Sequence, residues 1–350
     1  MPLLTTCIGS YPKPPYVPRM DWMHGGLEVG EVEGAALSPE ERQAAFDRAT
    51  REVVAEQAAI GIDIPTDGEV RRANYIHYHC GHLEGFEPDR LTLCTMRGGA
   101  WTAVVPTFTG KITARAPFLV RDWEVAQAAT EKPVKLTAPG PLTIADSTSN
   151  TFYPDRRSWC VDLADALNVE IRRLAEAGCR HIQVDEPLFA RLPDEALDFG
   201  VENLERCFHG VPSSVMRTMH MCCGYPDKLD ETDYVKADPE IYRRLASAVE
   251  ASIVDAVSIE DAHRHNDLSL LDTFSRTTVI LGVVEIASSR VETVDEIAAR
   301  LRAALDHIDA DRLIAAPDCG LIMLGSELAK AKLGRLVEAA RAVSPGSRRG

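Results

Sequence analysis

RRSWCVDLADALNVEIRRLAEAG at 156–178 runs almost directly into HIQVDEP at 181–187. The first stretch spaces its apolar residues as an amphipathic helix does and closes on a glycine, a common helix stop. The second is a short strand-like run that breaks off into Asp185, Glu186 and a proline. A helix, a strand and then an acid at the strand's end form one unit, and the unit recurs in both directions. Upstream, SPEERQAAFDRATREVVAEQAAIG (38–61) reads as a helix capped by Ser38, and IDIPTDGE (62–69) as a strand ending in Asp67 and Glu69. Downstream, VMRTMHMC (215–222) ends in His220 and Cys222, DAVSIE (255–260) in Glu260, and LIAAPDCG (313–320) in Asp318 and Cys319. LTTCIGS (4–10), KLTAPGP (135–141) and TVILGVVE (278–285) complete the series.

Strand–helix alternation along a whole chain implies a mostly parallel sheet covered by helices. About nine extended pieces are present, and one of them, within 91–112, is expected to be an inserted hairpin. The fold class predicted is therefore α/β, a (β/α)8 TIM barrel with an inserted hairpin, as a single domain over residues 1–350. An open doubly wound sheet is the alternative. Neither a GxGxxG nor a GxxxxGK[ST] motif accompanies it. The strand ends decide for the barrel. A barrel gathers the side chains at its carboxyl ends on one rim, where such folds place their sites, whereas an open sheet spreads them along a line.

Composition narrows the function class. Apolar residues make up 45% and charged residues 26%, an ordinary globular balance that supports a large core. The formal net charge of -15 disfavours nucleic acid, whose phosphates attract basic surfaces. No run reaches the length of a membrane span, and the N-terminus lacks the pattern of a secretory signal. Nine cysteines, odd in number and dispersed, argue for reduced thiols in a cytoplasmic protein. Barrels of this kind often pair, so a homo-oligomer is left open.

His220 and Cys222 are two residues apart at a strand end, so both point to one face. Glu260 and Cys319 end two other strands, and a barrel brings the four together. Two thiolates, an imidazole and a carboxylate suit tetrahedral zinc, and the sulfurs argue against magnesium or calcium. Three negative ligand charges exceed the two positive charges of zinc. Such a site is a poor activator of water but a good holder of an incoming thiolate. An HxC pair by itself is more often chance or core packing. Cys223 should face the opposite side. The cluster His77, His79, Cys80 and His82 reads as packing or substrate contact rather than as a second metal site.

These motifs together resemble the catalytic half of cobalamin-independent methionine synthase and its single-domain relatives. The pieces are IGSYPKP (8–14), TDGEVRR (66–72), PTFTGKI (106–112), LTAPGPLTIAD (136–146), QVDEPLF (183–189), MHMCCG (219–224), VSIED (257–261), ILGVVE (280–285) and PDCG (317–320). They occur in the family's order over almost the whole chain. The resemblance implies a zinc enzyme with His220, Cys222, Glu260 and Cys319 as ligands. It implies that homocysteine is held through Glu69, Asp185 and the Ile8–Gly9–Ser10 turn, its thiol joining the zinc before alkylation by a methyl donor. A tertiary-amine leaving group needs an acid, for which Asp318, His263 and His265 are candidates, Asp318 beside a ligand being equally suited to orienting the loop.

The chain departs from the long enzyme in having one barrel and in carrying ADSTSNTFY (145–153) where a tryptophan-containing segment is expected. This leaves folate open as the donor, beside methylated corrinoids. A related branch, epoxyalkane:coenzyme M transferase, adds a zinc-bound thiol to an epoxide. Its sulfonate would need a cation, for which Arg71, Arg72, Arg264 and Arg290 are candidates. A barrel of the uroporphyrinogen decarboxylase type and a non-catalytic zinc or thiol-sensing module are remoter readings. The sensing module fits poorly, because closed structural sites draw their ligands from nearby cysteines.

Overall fold

Local signals start and stop the elements where the sequence places them. The Glu41 N–H donates to Ser38 Oγ (3.2 Å) and the Ser38 N–H to the Glu41 carboxylate (2.8 Å). This capping box opens the helix Pro39–Ile60, and Gly61 closes it in the left-handed region. Asp155 caps the helix Arg156–Ala177, and Gly178 ends it in the same way. The structure, a computed structural model, describes residues 2–17, 20–21, 27–28, 37–96, 99, 101–226, 228–231, 236–238 and 240–343.

The strands in chain order are β1 (Leu4–Thr5), β2 (Met20–Asp21), β3 (Leu27–Glu28), β4 (Phe86–Met96), β5 (Trp101–Phe108) and β6 (Lys135–Pro139). They continue with β7 (Ser149–Asn150), β8 (His181–Asp185), β9 (Met216–Met221), β10 (Ala256–Glu260), β11 (Thr278–Val284) and β12 (Leu313–Pro317). Seven form one sheet in the order β1-β12-β11-β10-β9-β8-β6, every pairing parallel. Residues 64–66 bridge the two ends. Thr6 pairs with Ile64 and Thr66 with Lys135, both in parallel, so an eighth stave curls the sheet into a ring. That stave is thin because Pro65 has no N–H to give. Gln57 of the first long helix completes its bonding, donating to Thr66 O (3.0 Å) and accepting from Thr66 N (2.9 Å).

The inserted hairpin is β4–β5, antiparallel from Phe86↔Phe108 to Met96↔Trp101, so it begins earlier than the expected 91–112 window. Outside the ring, helices bury one continuous apolar core against the outward side chains of the strands. Inside it, Ile8, Ile64, Ala256, Ile280, Ile314 and Ala316 form a separate apolar cluster. No helix among the described residues is long and apolar enough to cross a membrane.

Candidate metal and thiol site

Parallel register brings the strand-end chemistry to one rim. His220 on β9 lies beside Asp185 on β8 and Ser258 on β10. Its Nδ1 is 3.0 Å from Ser258 Oγ, which turns Nε2 toward Cys319 Sγ at 3.4 Å. The ligand atoms of His220, Cys222 and Cys319 all lie within 4.8 Å of one another. Among the described residues they are the one such cluster of three or more. The Cys222 thiol is held well below its usual range by hydrogen bonding to Cys319 and by His220, against the opposing effect of burial.

Glu260, the fourth expected ligand, is not in this cluster. Its Oε2 pairs with Lys236 Nζ at 3.0 Å, while its buried Oε1 has no hydrogen-bond partner among the described residues. Two sulfurs, an imidazole nitrogen and an uncommitted carboxylate oxygen fit zinc. Cys223 lies in the outer core, and burial pushes its thiol up to about 12.

A cavity of about 340 Å³ opens beside the cluster. Ile8, Gly9, Ser10, Glu69, Asp185, His220, Cys222 and Cys319, eight of the expected site residues, line it. Glu69 follows Gly68 in the left-handed region (φ 54°), unusual for a residue with a Cβ and a form of stored backbone strain. Its Oε1 accepts from Thr137 Oγ1 (2.9 Å) and faces Arg72 Nη1 (3.1 Å). Gly9 makes room for it, because a Cβ there would lie 2.5 Å from that oxygen. Asp185 accepts from Tyr75 OH (2.8 Å) and Gln183 Nε2 (2.7 Å). Burial pushes both carboxyls up, opposed chiefly by Arg72 at Glu69 and by His220 at Asp185.

The three acid candidates lie elsewhere. Neither Asp318 nor His263 lines the cavity. Asp318 Oδ1 accepts the N–H groups of Asp261 and Ala262 (both 2.9 Å), and Oδ2 accepts that of His263 (2.8 Å). The structure therefore gives Asp318 the task of shaping the turn after Glu260. His263 is carried on that turn through its backbone, and burial lowers its imidazole to about 4, away from the charged acid form. His265 is mostly exposed and lies 3.6 Å from Asp261.

The candidate cations resolve similarly. Arg71 is buried against Asp47 and Asp122, Arg264 donates to Ala237 O, and Arg290 pairs with Glu296 on the surface. Of the four, Arg72 lines the cavity, and it is paired to Glu69. The His77–His82 segment packs as aromatics, with His82 stacked on Phe118 at 4.0 Å. Sequence reasoning missed Tyr75, Thr137 and Lys236. Tyr75 lies in a segment read only as packing or substrate contact, and Lys236 sits in a loop with no pattern to single it out.

The chain matches the family described as cobalamin-independent synthase, catalytic domain, over residues 3–342. It is similar to the methionine synthase of Saccharolobus solfataricus, 31% identical over 98% of this chain and 96% of that one. It is also similar to the methionine synthase of Pyrococcus abyssi, 32% identical over 98% and 94%. A B12-independent methionine synthase from Shewanella sp. W3-18-1, solved with selenomethionine, superposes with a TM-score of 0.85 at 28% identity, covering 98% of each chain.

Proposed function

The chain belongs to the cobalamin-independent synthase family, and from that premise we propose that it is a zinc-dependent methyltransferase acting on the sulfur of homocysteine, as a single domain over residues 1–350. The observation that carries the reading is the meeting of His220, Cys222 and Cys319 at the wall of a cavity that also exposes Glu69 and Asp185. His220 Nε2, the two sulfurs and Glu260 Oε1 would hold the metal. Zinc bound there would keep a thiol in its thiolate form at neutral pH, ready to attack an alkyl carbon.

The chain's own residues address the rest of the substrate. Glu69 and Asp185 face the substrate ammonium, and Thr137, Tyr75 and Gln183 hold the two carboxylates in place. Gly9 and Ser10 offer backbone and a hydroxyl to the substrate carboxylate. Ser258 fixes the ring of His220. Buried carboxylates suit an amino-acid thiol. They would repel a sulfonated thiol without an ammonium, which favours homocysteine over coenzyme M.

The test pairs metal content with product analysis. Wild-type protein should carry one zinc and form methionine from homocysteine with methyl-tetrahydrofolate or methylcobalamin. Cys222→Ser and Cys319→Ser should lose both zinc and activity. Full zinc content and full activity in both variants would overturn the ligand assignment. A thioether formed only from an epoxide would overturn the substrate assignment.

A further inference from the structure

The interior of the barrel is divided into two walls. One is the apolar cluster of Ile8, Ile64, Ala256, Ile280, Ile314 and Ala316. The inward positions of β6, β8 and β9 are mostly polar. They read Lys135, Thr137 and Pro139, then His181, Gln183 and Asp185, then Met216, Thr218 and His220. Register sets Thr137, Gln183 and Thr218 in one layer, with Lys135 and His181 in the layer below and Asp185 and His220 above.

Three buried atoms on this wall have no hydrogen-bond partner among the described residues: Lys135 Nζ, Gln183 Oε1 and Thr218 Oγ1. Their residues are 2%, 0% and 1% exposed. Orphaned polar atoms are costly in a dry interior, and three on adjoining strands point to a common partner. The Gln183 amide is already oriented. Its Nε2 donates to Ile8 O (2.8 Å) and to Asp185 Oδ1 (2.7 Å), leaving Oε1 as an acceptor on the other side. An ammonium, an amide oxygen and a hydroxyl together suit a neutral ligand that both donates and accepts. An anion would be repelled by Gln183 Oε1, and a metal cation by Lys135.

We propose that the barrel holds ordered water bonded to Lys135 Nζ, Gln183 Oε1 and Thr218 Oγ1, and that through it Lys135 is a positioning residue for the Asp185 carboxylate. Water with two to four polar partners is a regular part of protein interiors. Burial lowers the Lys135 ammonium to about 8, opposed by Asp185, so it stays mostly protonated at neutral pH and keeps its donors. The chain of contacts then runs from Lys135 through water to Gln183, and from Gln183 to Asp185.

The inference rests on Asp185 meeting the substrate ammonium, and two thiols separate the two ideas. Homocysteine carries the ammonium, whereas 4-sulfanylbutanoate has the same chain and carboxylate without it. In Lys135→Met the KM for homocysteine should rise about fivefold, the worth of one hydrogen bond, with kcat at saturation unchanged. The KM for 4-sulfanylbutanoate should not move. Equal KM values for the two thiols in the wild-type protein would sink the ammonium reading. Wild-type discrimination together with an unchanged homocysteine KM in the variant, or with equal rises for both thiols, would sink the role of Lys135. A crystal structure of the wild-type protein decides the water independently of the variant. Density bridging the three atoms supports it, and a direct bond from Lys135 Nζ to Gln183 or Thr218 without water overturns it.

Discussion

Asp318→Asn separates two jobs that one carboxylate beside a ligand could have. The structure spends both oxygens of Asp318 on three backbone N–H groups, two on Oδ1 and one, from His263, on Oδ2. Asparagine keeps the shape and leaves one oxygen, which can still serve Asp261 and Ala262. Burial and the nearby Glu260 push the Asp318 carboxyl up to about 8, so the bonds are counted as neutral ones. The asparagine NH₂ then points at the His263 N–H, so one hydrogen bond is lost and a buried donor is left unmade. Those two effects together cost about 3 kcal/mol. For a chain of this length the unfolding entropy converts that cost into a fall of roughly 4 °C in melting temperature. The turn after Glu260 should loosen with it, so zinc should dissociate more readily in a chelator competition assay. The kcat of the zinc-loaded protein should fall no more than about tenfold, because the carboxyl lies outside the cavity. A melting temperature shifted by less than about 1 °C, with kcat down by more than about a hundredfold, would refute the reasoning and return Asp318 to the role of proton donor.

Tyr75→Phe removes the phenol that donates to Asp185 and should raise the homocysteine KM about fivefold with kcat kept; steady-state kinetics check it, and an unchanged KM counts against the contact. Lys332→Met leaves Glu292 as an uncompensated buried charge, since both Glu292 oxygens face Lys332 Nζ (3.0 and 2.9 Å). It should destabilise the fold by about 3–5 kcal/mol in urea, and a loss under about 1 kcal/mol refutes the pairing's importance. Burial lowers the imidazoles of His77 and His181 to about 4, so between about 6.5 and 4 the unfolded chain takes up protons that the folded chain refuses. The stability these neutral rings contribute is present above pH 6.5 and is lost as pH falls toward 4. Urea midpoints measured across that window should decline, less steeply in His181→Gln.

The fold was legible because period and punctuation carry it. Ser38, Gly61, Asp155 and Gly178 each act on their own neighbours, so a linear reading finds them. The rim was legible for a related reason: a parallel barrel converts position along a strand into position in space, and polar residues at strand ends then meet. What stayed hidden depends on which distant side chains share a buried atom. A loop-orienting role for the Asp318 of PDCG is readable from its place beside a ligand, but which loop it shapes is not, because its three donors arrive from residues 261–263. An ion pair of Glu69 with a nearby arginine is readable from TDGEVRR, but nothing local tells that the same Oε1 also takes the Thr137 hydroxyl, or that Lys236 faces Glu260. The His77–His82 run looks like ligand chemistry in the sequence and packs as aromatics, since spacing cannot report what lies across the interface.

The thin stave at 64–66 gives the ring a seam. Elsewhere in the ring neighbouring strands share ladders of two to five residue pairs, whereas here two single bridges are backed by side-chain bonds from Thr5 to Asp63, from Thr6 to Ile64 O and from Thr66 to Gly9 O. A closed hoop under thermal load parts first at its weakest joint, so local opening should concentrate there. Amide hydrogen exchange should be faster at Ile64 and Lys135 than at Ile259. The chain leaving that joint carries Glu69 and Arg72, which line the cavity, so opening of the joint should loosen that wall as well. A tighter joint, with Pro65 replaced by a residue that can donate, would trade looseness of that wall for resistance to heat.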